Sequence, residues 1–235
     1  MSLICDLLLE VKDEPWKGVD IMKGVDIQVD RGHIPGTPAY RQLGTNLPRG
    51  LPQEATYFKL VYTHIKSLEG SPQSVTHQVL LRGNRELKSL KGGPRSTGSF
   101  YYAHENDLHD LIGAPTHVGG DFTCHQNRNL SSIEGGPNWV KGDVKLNMNA
   151  NLKSLEGIGT KYFCNVGGTL HVGKQVVRNA LGLVLMNCKH FTLLFPGSEV
   201  LIEYCGKATK EQREEAAIDC QHALIEAGFK ALAEL

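Results

Sequence analysis

The stretch Val118-Gly-Gly-Asp-Phe-Thr-Cys-His-Gln-Asn-Arg-Asn-Leu-Ser-Ser-Ile-Glu-Gly-Gly-Pro137 decides how the rest of the chain is read. A phrase starting at its Leu130 also starts at Ile65, Leu87, Leu108 and Leu152, with intervals of 22, 21, 22 and 22 residues. Recurrence at that length marks a solenoid: one unit cannot bury its apolar side alone, and stacked neighbours share a core. The fold class expected is a repeat solenoid, mainly β, with short parallel strands.

Aligning the copies gives columns with physical reasons. Ile65, Leu87, Leu108, Leu130 and Leu152 form one apolar column, and Leu68, Leu90, Leu111, Ile133 and Leu155 form a second. Val79, Phe100, Phe122 and Val144, then Leu81, Tyr102, Cys124 and Leu146, read as inward positions of strands, because a gap of one residue is strand periodicity. Val75, Val118, Val140 and Val166 make a fifth inward column. Gly70, Gly92, Gly113, Gly135 and Gly157 suit a turn with positive φ, and Pro72, Pro94, Pro115 and Pro137 stop strand extension just after it. Asn84, Asn106, Asn127 and Asn149 are placed to satisfy backbone groups that the turns leave free.

The segment Phe122-Thr-Cys-His-Gln-Asn-Arg-Asn-Leu130 resembles the leucine-rich repeat core L-x-L-x-x-N-x-L with one residue added before the last leucine. The longer phrase is also similar to repeats of uncharacterised bacteriophage and bacterial proteins. The resemblance covers about residues 60–172 and implies a leucine-rich-repeat-like framework, with a phage-encoded protein acting on a host factor as the functional expectation. Gly159 in the proline column and extra residues between Gly157 and Val166 depart from the pattern.

The array is flanked by two dissimilar ends. Residues 1–50 are expected to form an N-terminal cap. They hold an apolar run at 4–11, a doubled Val-Asp-Ile at 19–21 and 25–27, and a Gly- and Pro-rich wrap after Arg31. Residues 51–172 are the solenoid, and 173–235 hold further strands and a capping helix. That helix opens at Thr209 with Gln212 three residues on, a capping-box pattern, and sets Ala217, Ile218, Leu224 and Ile225 along one side before Gly228 stops it.

Twenty-five basic and 25 acidic residues give no net charge, which argues against a general nucleic-acid binder. The six cysteines contain no C-x-x-C pair, the start of the sequence shows no basic leader, and no stretch reaches the ~20 apolar residues of a membrane span. A soluble protein of the cytoplasm, host cytoplasm if phage-encoded, is expected, with reduced thiols and no membrane contact.

Candidate chemistry is sparse. His104 and His125 stand at similar places in adjacent copies, beside Cys124, but nothing reinforces them as metal ligands. Cys124 belongs to a packing column, Cys164 lies in the irregular insertion, and Asp121 and Asp143 pair through repeat geometry alone. No catalytic site, metal or cofactor is called for. The informative positions are those between the inward ones: Gln78, Leu80, Arg82; Ser99, Tyr101, Ala103; Asp121, Thr123, His125; Asp143, Lys145, Asn147; Thr169, His171. Framework columns barely vary while these vary freely. Arg82, Tyr101, His125, Lys145 and His171 are therefore read as the binding face of a non-enzymatic, protein-binding module. The competing reading is a structural protein that self-associates through its caps.

Overall fold

The structure, a computed structural model, describes residues 26–30, 45–47, 50–175 and 177–235, the first group by its backbone alone. Most of the segment expected to form the N-terminal cap, including the run at 4–11 and the first Val-Asp-Ile, lies outside the described residues. The described part is a mainly β solenoid with a C-terminal helical cap. Its strands form one eleven-stranded sheet in which every pairing is parallel.

Each turn of the solenoid contributes one layer. Strands β1 (Asp26–Asp30), β2 (Glu54–Val61) and β3 (Ser74–Arg82) are single pieces. The next three layers are each split at a bend: β4 (Ser96–Thr97) with β5 (Phe100–His104), β6 (His117–Val118) with β7 (Phe122–Thr123), and β8 (Trp139–Val140) with β9 (Val144–Lys145). Both ladders rejoin on β10 (Asn165–Val172), and β11 (Asn187–Leu193) pairs with β10. Residues after Val172 therefore continue the array by one layer.

The bend is specified by glycine. A Cβ on Gly119 would stand 2.1 Å from the carbonyl oxygen of Gly98, so the layers can close up there only without a side chain. Beside this column, Oδ1 of Asp121 accepts from the Asp143 amide at 2.9 Å, and Oδ1 of Asp143 accepts from the Thr169 amide at 2.8 Å. The two aspartates are thus stitches between layers.

A second set of stitches runs at the other end of the strands. Asn84, Asn106, Asn127 and Asn149 are all buried. Their Oδ1 atoms accept from the amides of Thr63, Asn84, Asn106 and Asn127 at 2.9–3.0 Å, each in the preceding layer. Their Nδ2 atoms donate to the carbonyls of Leu60, Leu81, Ala103 and Cys124 at 2.8–3.0 Å. Backbone groups that a tight turn would orphan are satisfied one layer at a time. The turn glycines Gly70, Gly92, Gly113, Gly135 and Gly157 all have φ between 80° and 95°, as their column requires.

Both leucine columns are buried, at 0–1% exposure. The strand columns differ from expectation in one copy. Val79 pairs with Tyr101 and Leu81 with Ala103, so Tyr101 and Ala103 point inward while Phe100 is 40% exposed. The physical reason is the site of the missing residue. Val79, Tyr101, Phe122 and Val144 each stand 14 residues after their leading Ile65, Leu87, Leu108 and Leu130, and the short copy loses its residue between Asn106 and Leu108. Tyr101 stacks on Phe122 at 5.5 Å inside the core, and its buried hydroxyl has no partner among the described residues.

The insertion after Gly157 also serves the core. It forms a tight turn, in which the amides of Lys161 and Tyr162 donate to the Gly157 carbonyl, and delivers Phe163 to the interior 5.6 Å from the Phe122 ring. At the C-terminal end, α1 (Gly182–Leu185), α2 (Ser198–Tyr204) and α3 (Lys210–Glu226) pack together over the last layer. Thr209 and Gln212 close the expected capping box, and Gly228, at φ 84°, follows the helix end. Ala216, Ala217, Cys220 and Leu224 face the core, whereas Ile218 and Ile225 are 58% and 48% exposed. The buried stripe is thus narrower than the one read from sequence, and the two isoleucines lie outside it.

Candidate binding face

Because side chains alternate along a strand, the register that turns Tyr101 inward also decides what points out. Three outward rows cross the sheet. The first is Tyr57, Gln78, Phe100, Asp121, Asp143, Thr169 and His190; the second is Lys59, Leu80, Tyr102, Thr123, Lys145, His171 and Thr192; the third includes Val61, Arg82, His104 and His125. Arg82, His125, Lys145 and His171 therefore share one surface, as expected. Tyr101 does not belong to it, and Phe100, Tyr102 and His104 take the places assigned to Ser99, Tyr101 and Ala103. Counting from the leading leucine would have found them.

The face is aromatic and carries both signs of charge, Lys59, Arg82 and Lys145 beside Asp121, Asp143 and Glu105. The Phe100 and Tyr102 rings lie parallel within 7°, 5.8 Å apart. Lys59 Nζ sits 4.6 Å from the centroid of the Tyr57 ring. In the third row Arg82 Nη2 lies 3.2 Å from Glu105 Oε1 and its guanidinium stands over the Tyr62 ring at 5.5 Å, while Tyr62 Oη donates to Glu105 Oε2 at 3.5 Å. Burial pushes the Glu105 carboxyl up, but the hydrogen bond and charge of Arg82 outweigh it and hold the group below the usual carboxylate range.

His104 and His125 stack at 5.0 Å. Burial is the main cause that pushes His104 below the ordinary imidazole value, with His125 and Arg82 adding to it and Glu105 opposing. Burial likewise leads for His125, with Lys145 and Arg82 on its side and Glu105 and Gln126 against. Both shifts favour the neutral ring over the charged one. No group of three or more His, Cys, Asp or Glu side chains among the described residues is arranged to hold a metal ion.

The five thiols among the described residues do not have the character of activated nucleophiles. Burial pushes Cys124 and Cys205 up to about 12 and Cys220 up to about 11. Burial also raises Cys164, whose sulfur accepts from Asn138 Nδ2 at 3.3 Å, and Cys188. Cys5 lies outside the described residues. The paired carboxylates Asp121 and Asp143 spend an oxygen each on backbone amides, as described above.

At the C-terminal ends of the strands the face runs into an open groove of about 720 Å³ lined by Tyr62, Arg85, Glu105, Gln126, Arg128 and Met148, among others. Tyr62, Glu105, Gln126 and Met148 all hold φ between 51° and 62° in the turn ahead of Thr63 and the buried asparagines. No helix among the described residues is long and apolar enough to cross a membrane. No protein-family model matches the chain, and neither a curated protein nor a solved structure is significantly similar to it.

Proposed function

We propose that the chain is a non-enzymatic protein-binding module that docks one partner on the outward face of its parallel sheet. The observation that carries this reading is the split between a uniform interior and a varied exterior on one rigid surface. The columns of leucine, glycine, proline and asparagine are spent on the fold. Lys59, Arg82, Phe100, Tyr102, His125, Lys145 and His171 are not, and aromatic and arginine side chains are the types that most often anchor interfaces. Reading the repeated phrase as phage-like makes a host protein the partner to test first.

The test is capture from host lysate by the wild-type chain and by a Tyr102→Ala, His125→Ala, Lys145→Ala triple variant. A protein retained by the first and lost by the second supports the reading; equal capture by both overturns it. The exposed isoleucines of α3 favour a second reading, self-association through the C-terminal cap. Sedimentation of the chain separates the two, since a monomer at every concentration removes the second.

A further inference from the structure

We propose that the outward side of α3 docks a basic, amphipathic segment of a partner protein, with apolar side chains over Ile218 and Ile225 and lysines or arginines facing Glu215, Asp219 and Glu226. This surface uses none of the strand-face residues and goes beyond the strand-face reading.

Five of the ten large hydrophobic side chains exposed among the described residues fall between Leu194 and Leu235, so apolar exposure is concentrated at the C-terminal cap. Ile218 and Ile225 are two of them. Standing seven residues apart, they share one line of the helix, roughly 10 Å from each other. That line points away from the stripe of Ala216, Ala217, Cys220 and Leu224 that packs on the core. The platform behind it is fixed: α3 packs on α1 and α2, opens with its capping box, and has Gln221 Nε2 donating to the Ala233 carbonyl at 3.0 Å. A preordered face loses little entropy on binding.

Charge decides the occupant. Residues 198–235 hold eight acidic and four basic side chains, a balance of −4, while the other 197 residues hold 17 acidic and 21 basic ones. On α3 itself Glu211, Glu214, Glu215, Asp219 and Glu226 are all exposed. Its two cations are occupied. Lys210 Nζ lies 3.5 Å from Glu214 Oε1, and half-buried Arg213 gives Nη1 to the carbonyls of Lys207 and Ala208. Glu215, Asp219 and Glu226 have no ion pair among the described residues. Intervals of four and seven residues set these three on one line beside the isoleucines.

The same carboxylates act against the free helix. Glu211, Glu215 and Asp219 follow one another at intervals of four, the spacing at which like charges destabilise a helix. A cationic partner removes that repulsion. The isoleucines alone would suit a second copy of α3, but its carboxylates would meet these and add to the repulsion. Nucleic acid and an anionic bilayer carry the same sign and are repelled as well. A basic segment with apolar anchors is the occupant that satisfies both parts of the face.

Fluorescence anisotropy of the full chain with a labelled, helical lysine–leucine peptide tests this at about 50 mM and about 300 mM salt. Saturable one-to-one binding is expected, several-fold weaker at the higher salt. An Ile218→Ala, Ile225→Ala variant should weaken it about tenfold without a lower melting temperature. A Glu215→Gln, Asp219→Asn, Glu226→Gln variant should weaken it and flatten the salt dependence, again without a lower melting temperature. The Tyr102→Ala, His125→Ala, Lys145→Ala variant should bind the peptide as the wild type does. No saturable binding, equal binding of an all-lysine peptide, indifference to either α3 variant, or loss in the strand-face variant would each overturn the proposal. A dimer of the free chain that the isoleucine variant disperses would overturn it too. Capture of a lysate protein through the strand face is a separate readout, so failure of the peptide leaves that reading standing.

Discussion

Tyr101 shows how one residue changes both the fold and the site. As an inward residue it contributes a ring to the core and buries a hydroxyl that has no partner among the described residues. Tyr101→Phe removes the orphan and keeps the ring, so it should raise unfolding stability by about 1 kcal/mol, whereas Tyr101→Ala should cost about 3–5 kcal/mol through the cavity it leaves. Denaturant titration reads both; an unchanged or lowered stability for Tyr101→Phe would place the ring elsewhere. Asn127 offers a second check. It accepts from the Asn106 amide and donates to the Ala103 carbonyl, both buried, so Asn127→Ala should cost about 2–4 kcal/mol, more than an exposed substitution such as Asn129→Ala. The leucine, glycine and asparagine positions were legible because each repeats its chemistry in every copy. Tyr101 was not, because Phe100, Tyr101 and Tyr102 all suit an inward place, and only the 14-residue offset from the leading leucine tells them apart.

Elements carry their own expectations. The helix α3 was readable from its capping box, and Thr209→Ala, which removes the acceptor for the Gln212 amide at 3.2 Å, should lower stability by about 1 kcal/mol in thermal unfolding. Its buried stripe was less readable, since Ala216, Ala217 and Cys220 make weak apolar signals while the exposed Ile218 and Ile225 make strong ones. The insertion of 157–163 shows the same limit. Phe163 belongs to no column, so periodicity has no power over it, although it closes the core against Phe122. The bend columns are intermediate: in sequence Asp121 and Asp143 read only as a pair set by repeat geometry, and only stacked layers show that the next amide lies within reach.

On the scale of the molecule, layers that contact only their neighbours make stability a sum of local terms joined by interfaces. Acid should act on it through the face. His104 and His125 have imidazole values depressed by burial, so their contribution is fully present above pH 6.5 and is lost as pH falls through their folded values. The free chain should melt at a lower temperature at about pH 5.5 than at about pH 7.5, and a His104→Gln, His125→Gln variant should lose much of that difference. The architecture was accessible from one recurring phrase. The identity of the face needed the register, and the identity of the partner is a matter of chemistry outside the repeat. The central claim is that the partner sits on the strand face, and a photoreactive residue placed at Tyr102, compared with one at the exposed Lys153 beyond the leucine column, tests it most directly in host lysate. A protein cross-linked from position 102 and not from 153 is the result predicted here; a cross-link from 153, with none from 102, would contradict it.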